Sequence, residues 1–260
     1  MRSPRIMGVV NVTPDSFSDG GRFSDPAAAI AHGRALAEAG ADILDIGGES
    51  TRPGAEAVSE AEELARVIPV IEGLAGLTLS IDTYKPAVAR AAVKAGASIW
   101  NDITALAAPG APETAAELGC TVVLMHMQGE PRTMQAAPHY DDVVAEVAAW
   151  LAARAEAAMA AGVSREKIWL DPGVGFGKTP AHNLALIRHL DRIIDLGFPV
   201  LLGLSRKRFI ESLHPGPDRL GGSLAGALIG AAKGADVVRV HDVAQTAQAL
   251  SLLRAVEETP

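Results

Sequence analysis

Ile168-Trp169-Leu170-Asp171-Pro172-Gly173-Val174-Gly175-Phe176-Gly177-Lys178 is the stretch on which the reading of this chain turns. A short apolar run bounded by Pro and Gly predicts a buried strand whose end delivers Asp171 into a tight loop. Glycines at 173, 175 and 177 let the backbone turn sharply and come close to a flat or phosphorylated ligand. A carboxylate at Asp171 can accept two donors side by side. The segment lacks the Gly-Lys-Ser/Thr ending of a P-loop, so it points to amine donors rather than to phosphate. The plainer alternative is a Gly-rich turn in which Asp171 caps the next helix.

Seven further runs of the same kind lie at 6–10, 43–46, 77–81, 98–100, 121–125, 200–204 and 237–240, with helical apolar spacing between them. Helix starts are marked by Asp25-Pro26, by a capping box from Ser59 to Glu62, and by Lys85-Pro86. Gly40, Gly96, Gly119, Gly162, Gly197 and Gly234 each stand where a helix would stop and feed the next strand. Eight strands alternating with helices predict a (β/α)8 TIM barrel, one domain over residues 1–260. An open doubly wound sheet would more typically place a G-x-G-x-x-G turn after its first strand, and none follows Val10.

Composition bounds the function. A formal net charge of -8 disfavours a nucleic-acid surface, so an anionic ligand must meet a local basic cluster. The single cysteine, Cys120, sits in a core-strand context and suits a reducing compartment. No apolar run approaches membrane-span length and Met1–Arg5 carries no signal-peptide core, which places the protein in the cytoplasm, away from membranes.

In such a barrel the residues that follow the strands build the site. Reading them off gives Asn11; Glu49, Thr51 and Arg52; Asp82; Asn101 and Asp102; Met125 and His126; Asp171; Ser205 to Lys207; Arg239 and His241. Asp82, Asn101 and Asp171 offer carboxylate and amide edges for a planar heterocycle with an amidine-like edge, with Lys207 available to a ring carbonyl or nitrogen. Strands one and eight are neighbours in a closed barrel, so Asn11, Arg52, Arg239 and His241 gather where a phosphate and a Mg2+ ion could be held. Each has a bland alternative: Asp82 as the cap of the Lys85-Pro86 helix, His241 and His126 as structural histidines. Two polar, Gly-rich loops, 12–24 and 47–58, are long enough to close over a substrate.

Met7–Gly21 (MGVVNVTPDSFSDGG), Gly47–Gly54 (GGESTRPG), Met125–Gln135 (MHMQGEPRTMQ), Asp171–Thr179, Ser205–Lys207 and Arg239–Val243 (RVHDV) together resemble dihydropteroate synthase. The likeness implies an enzyme, a transferase, that joins 4-aminobenzoate to (7,8-dihydropterin-6-yl)methyl diphosphate in folate biosynthesis. It implies that Asp82, Asn101, Met125, Asp171 and Lys207 hold the pterin, and that Thr51, Arg52, Arg239 and His241 attend the diphosphate. Asn11 would bind Mg2+, and Phe17, Pro53, Phe176, Ser205 and Lys207 would line the 4-aminobenzoate pocket. Asp19, Arg52 and Lys207 are the expected catalytic side chains, Asp19 by stabilising a pterin cation before the amine attacks. A homodimer packed through outer helices is expected on the same likeness. Two other readings stand beside it: a pterin-binding methyltransferase domain, and a catalytically silent pterin-binding protein. Two departures are visible: only Met1–Arg5 precede the first strand, where relatives often carry an extra hairpin, and Glu211 stands where a small residue is usual.

Overall fold

The computed structural model describes residues 3–13, 25–50, 57–130, 132–216 and 218–259. Eight strands alternate with helices in chain order: β1 (Arg5–Asn11), α1 (Pro26–Glu38), β2 (Ile43–Gly47), α2 (Glu60–Gly73), β3 (Leu79–Asp82), α3 (Pro86–Ala95), β4 (Ile99–Asp102), α4 (Ala111–Leu118), β5 (Thr121–Met125) and α5 (Val143–Ala160). They continue as β6 (Ile168–Asp171), α6 (Pro180–Arg188), α7 (Asp191–Ile194), β7 (Leu201–Leu202), α8 (Arg208–Leu213), α9 (Leu220–Lys233), β8 (Val237–Val240) and α10 (Val243–Glu258). All strand pairs are parallel in the order β6-β5-β4-β3-β2-β1-β8-β7, and a parallel bridge from Leu170 to Val200 joins the two ends into a ring. The TIM barrel expected from the eight runs is therefore the observed fold.

Local chemistry explains the boundaries. Asp25 accepts the Ala27 N–H at 2.9 Å and Ser59 accepts that of Glu62 at 3.2 Å. Only half of the predicted capping box forms, because the Glu62 carboxylate turns to Arg66 one helical turn on. The six glycines read as helix stops all have positive φ, from 59° at Gly119 to 122° at Gly96, a conformation in which a Cβ is strained. β3 begins at Leu79 rather than Leu77, because Leu77 is exposed and its N–H closes the turn after α2 on Leu74 O at 3.2 Å. β7 is only Leu201–Leu202, shorter than the 200–204 run: Val200 turns to β6, and the chain reaches positive φ at Arg206.

Pleat and register place the site. Met7, Ile43, Ile99, Val123, Trp169, Leu201 and Val237 form an apolar cluster of their own inside the ring. Side chains on one face of a strand repeat every two residues. Two steps towards the C-terminal rim, the same faces carry Val9, Asp45, Asn101, Met125, Asp171, Gly203 and Arg239. The lower half of the barrel is thus a packed plug and the upper half a polar cup. Below the plug, the Arg5 guanidinium lies 4.5 Å from the centroid of the Trp169 ring and covers it. A cation over an indole face contributes about 0.5–1 kcal/mol at an exposed site. Among the described residues no helix is long and apolar enough to cross a membrane.

Candidate active site

Arg239 stands at the centre of the cup. Its Nε donates to Asp45 Oδ2 at 2.6 Å and its Nη2 to Asp82 Oδ2 at 2.7 Å, while Asn101 Nδ2 donates to the same Asp45 oxygen at 3.1 Å. Arg239, expected on the diphosphate side, therefore commits two donors to the acid side. The reason is electrostatic: two carboxylates this deep need a cation between them. Burial lifts Asp82 to about 7, with Arg239 opposing the rise and Asp45 adding to it. Burial disfavours the charge on Arg239 as well, but Asp45 and Asp82 more than offset that and keep it protonated. Asp45 Oδ1 and Ser80 Oγ, both buried, have no hydrogen-bond partner among the described residues. Sequence reading missed Asp45 because it lies inside its run, between Leu44 and Ile46, not after it.

Neither acid serves as a helix cap. The residue at the α3 N-cap is Lys85, with no side-chain cap, and α6 is capped reciprocally by Thr179 and His182. Asp171 instead accepts the Gly173 N–H at 2.7 Å through Oδ1. Burial raises Asp171 to about 6, opposed by that Gly173 bond and then by Lys207, Arg239 and Lys178. Met125 is the cross-strand partner of Asp171, and Asn101 that of Asp82, so the four residues share one arc of the rim.

The loop from Gly173 to Lys178 is pressed against the end of β5. A Cβ on Gly173, at φ +65°, would meet His126 O at 1.8 Å, and one on Gly177, at φ +60°, would meet Gln128 O at 2.4 Å. Gly173→Ala is expected to cost about 2 kcal/mol or more, a fall in Tm of about 5 °C, while Gly221→Ala, with open space around it, should not destabilise. Thermal unfolding of both variants checks this. Lys207 Nζ sits 3.9 Å from the Phe176 ring centroid, and burial, aided by Arg239, lowers it to about 8. Lys178, unremarked in the sequence reading, is buried beneath the loop. His126 is structural: its ring packs edge-on against Trp150 with centroids 4.9 Å apart, and burial holds it neutral, at about 3.

Across the rim, Asn11 ends β1 and His241 follows β8. Ser205 Oγ accepts the His241 backbone N–H at 3.2 Å and lies 3.1 Å from Nδ1. Burial, then Arg239 and Arg206, lower His241 to about 4, so at neutral pH it acts as an uncharged hydrogen-bonding group. Arg206 turns away to Asp242, at 3.0 Å and 2.5 Å. Glu49 pairs with Lys85 at 2.5 Å and accepts Tyr84 Oη at 3.1 Å, an anchor for the end of β2. Glu211 pairs with Arg219, away from the cup. Phe17, Asp19, Thr51, Arg52 and Pro53 lie outside the described residues.

Comparison with known proteins identifies the family. A family model described as "Pterin binding enzyme" matches residues 7–241. Dihydropteroate synthase of Escherichia coli K12 is 51% identical over 257 residues, covering 97% of this chain and 91% of that protein. The Xanthomonas albilineans dihydropteroate synthase structure with 4-aminobenzoic acid superposes with TM-score 0.93 at 56% identity, over 99% of this chain and 94% of that one. A second, in complex with 7,8-dihydropteroate, gives TM-score 0.90 at 53% identity, over 99% and 95%. This chain belongs to the dihydropteroate synthase family of pterin-binding enzymes.

Proposed function

We propose that residues 1–260 act as one pterin-binding barrel that joins 4-aminobenzoate to (7,8-dihydropterin-6-yl)methyl diphosphate, yielding 7,8-dihydropteroate and diphosphate. The observation that carries this is the sorting of the rim: acids and an amide on β3, β4 and β6, and Asn11, Ser205 and His241 across it where β1 and β8 adjoin. Asp82, Asn101 and Asp171 hold the amine-bearing edge of the pterin, Met125 packs against it, and Lys207 meets a ring carbonyl or nitrogen. Thr51, Arg52, Arg239 and His241 attend the diphosphate. His241 donates from the ring nitrogen that Ser205 does not occupy, and Arg239 has a further fork nitrogen, Nη1, besides the two that it gives to Asp45 and Asp82. Phe17, Pro53, Ser205 and the Phe176–Lys207 pair receive 4-aminobenzoate. That X. albilineans synthase holds this acid and, separately, 7,8-dihydropteroate supports the pairing of substrates.

In the reaction the bond from the pterin methylene carbon to diphosphate oxygen breaks, its electrons leaving with the diphosphate. The aniline nitrogen then forms the new C–N bond and gives up a proton. Asp19 steadies the positive charge on the pterin between those events, and Arg52 and Lys207 steady the groups on either side. Among the described residues no three His, Cys, Asp or Glu side chains stand together as a metal cage. A lone amide oxygen at Asn11 suits a hard cation that keeps its waters and takes phosphate oxygens for its other ligands. Asn11 would hold Mg2+, which supplies charge neutralisation beside the departing diphosphate.

Mixing both substrates with Mg2+ should give diphosphate and dihydropteroate in equal amounts. Pterin binding without product would support the silent-binder reading. Methyl transfer from a methyl-pterin supplied separately, with no condensation of the two substrates, would instead place the chain with the methyltransferases. A cytoplasmic setting is supported by Cys120, a buried free thiol that burial pushes up to about 11. The homodimer is supported by Ile229, Leu252 and Val256, exposed on the packed pair α9 and α10.

A further inference from the structure

Lys178 has three N–H bonds to give and no solvent to give them to. Its Nζ lies 2.9 Å from Phe176 O, 3.0 Å from Gly173 O, 3.0 Å from His126 Nδ1 and 3.3 Å from His126 O. All three donors are consumed, one shared between the two His126 acceptors. Uncharged His126 can accept at Nδ1 only with its proton on Nε2, so the lysine also fixes the tautomer of that ring. These contacts are not spread at random over the loop. Gly173 is the residue whose N–H orients Asp171, and Phe176 is the residue whose ring lies beside the Lys207 ammonium. A Cβ on Gly175, between them, would come within 2.9 Å of Lys207 Cδ, so the loop backbone itself packs on the stem of that lysine.

We propose that Lys178 is a positioning residue for pterin capture: by tying Gly173 and Phe176 to the end of β5, its ammonium sets the orientation of Asp171 and Lys207. The assignment of those two side chains to the pterin rests on the reading above. Other tethers hold the outer edge of the loop: Gln135 Nε2 on Gly175 O at 2.6 Å, Asn183 Oδ1 on Gly175 N at 2.7 Å, and Tyr140 Oη on Gly177 O at 2.9 Å. None of these contacts Gly173 or Phe176, so Lys178 is the side chain that controls the inner edge. It has an electrostatic part too. Burial weakens its charge, bringing it to about 7, Asp171 favours that charge, and Lys207 disfavours it. The groups facing this lysine are Asp171 on β6, His126 after β5, His182 on α6 and Lys207 at the start of α8. Asp171 gains from it in return, since Lys178 is one of three cations that hold its carboxyl down against burial.

Lys178→Met keeps the stem and removes both donors and charge, whereas Lys178→Gln keeps two donors. Calorimetric titration with (7,8-dihydropterin-6-yl)methyl diphosphate should show affinity lowered about tenfold in the Met variant and partly restored in the Gln variant, with KM for 4-aminobenzoate changed less. In the free protein, the Asp171 carboxyl, followed by carbon-13 NMR, should titrate at higher pH in Lys178→Met than in the parent. That second readout needs no substrate, so it stands even if the synthase reading fails. A folded Met variant with parental pterin affinity and an unmoved Asp171 titration would overturn the proposal. So would failure of both variants to fold, since the lysine would then support the barrel rather than the site.

Discussion

Arg239→Met should destabilise the barrel by about 3–5 kcal/mol at pH 8 and by clearly less at pH 5.5, because it removes the cation bonded to both Asp45, which is buried, and Asp82, which is mostly so. The sign follows from linkage. A carboxyl whose pKa is raised on folding opposes folding as pH climbs above its unfolded value, and the penalty levels off only above the folded value. For Asp82 that window already runs from about 4 to about 7 in the parent protein. Without Arg239 the folded value moves higher and the penalty at pH 8 grows. At pH 5.5 the variant can keep the Asp82 carboxyl protonated and escapes most of it. Asp171 shifts in the same direction, since Arg239 also holds its carboxyl down, and acids away from the cup contribute equally to both proteins and cancel in the difference. Urea unfolding of parent and variant at the two pH values gives the comparison. Adding Asp82→Asn to the variant should recover part of the loss at pH 8 and little at pH 5.5. An equal deficit at both pH values would mean that Arg239 contributes packing and not charge.

The same residue marks the boundary of what the linear sequence discloses. The barrel was legible because most strands are runs rich in Val, Ile and Leu and six of the helices are followed closely by a positive-φ glycine, both local signals set by backbone and burial. Leu77 deceived because an apolar side chain in a turn looks like the first residue of a strand. At the rim, reading the residue after each run found Asp82, Asn101, Asp171, Lys207 and His241, since a strand end must leave the apolar plug. It passed over Asp45 and Ser80, which point inward from within a run. The two-residue step from Ile43 to Asp45 was the available signal. The Arg239 contacts had none: they span the ring from β8 to β2 and β3, and depend on how far a guanidinium reaches. Lys178 was hidden for a related reason, since three of its four partner atoms are backbone carbonyls, which no residue type announces.

Asp171→Asn should weaken binding of the pterin diphosphate about a hundredfold at pH 8, or about 2.7 kcal/mol, the scale of a charge-assisted hydrogen bond lost. The substitution is selective. Asn can still accept the Gly173 N–H through its side-chain oxygen, so the loop keeps its inner tether. What changes is the atom facing the cup, where an amide N–H would replace a carboxylate oxygen and confront the donors of the ligand. The pH dependence separates this from a general loosening. Below about 6 the parent carboxyl takes up a proton and its affinity should decline by up to tenfold per pH unit, whereas Asn cannot titrate. Asp82 titrates in both proteins and drops out of the ratio. The two affinity curves should therefore approach one another between pH 8 and pH 5, measured by calorimetry. A hundredfold gap that persists undiminished at pH 5 would show that Asp171 matters for shape and not for charge, and the acid side of the rim would need another anchor for the pterin.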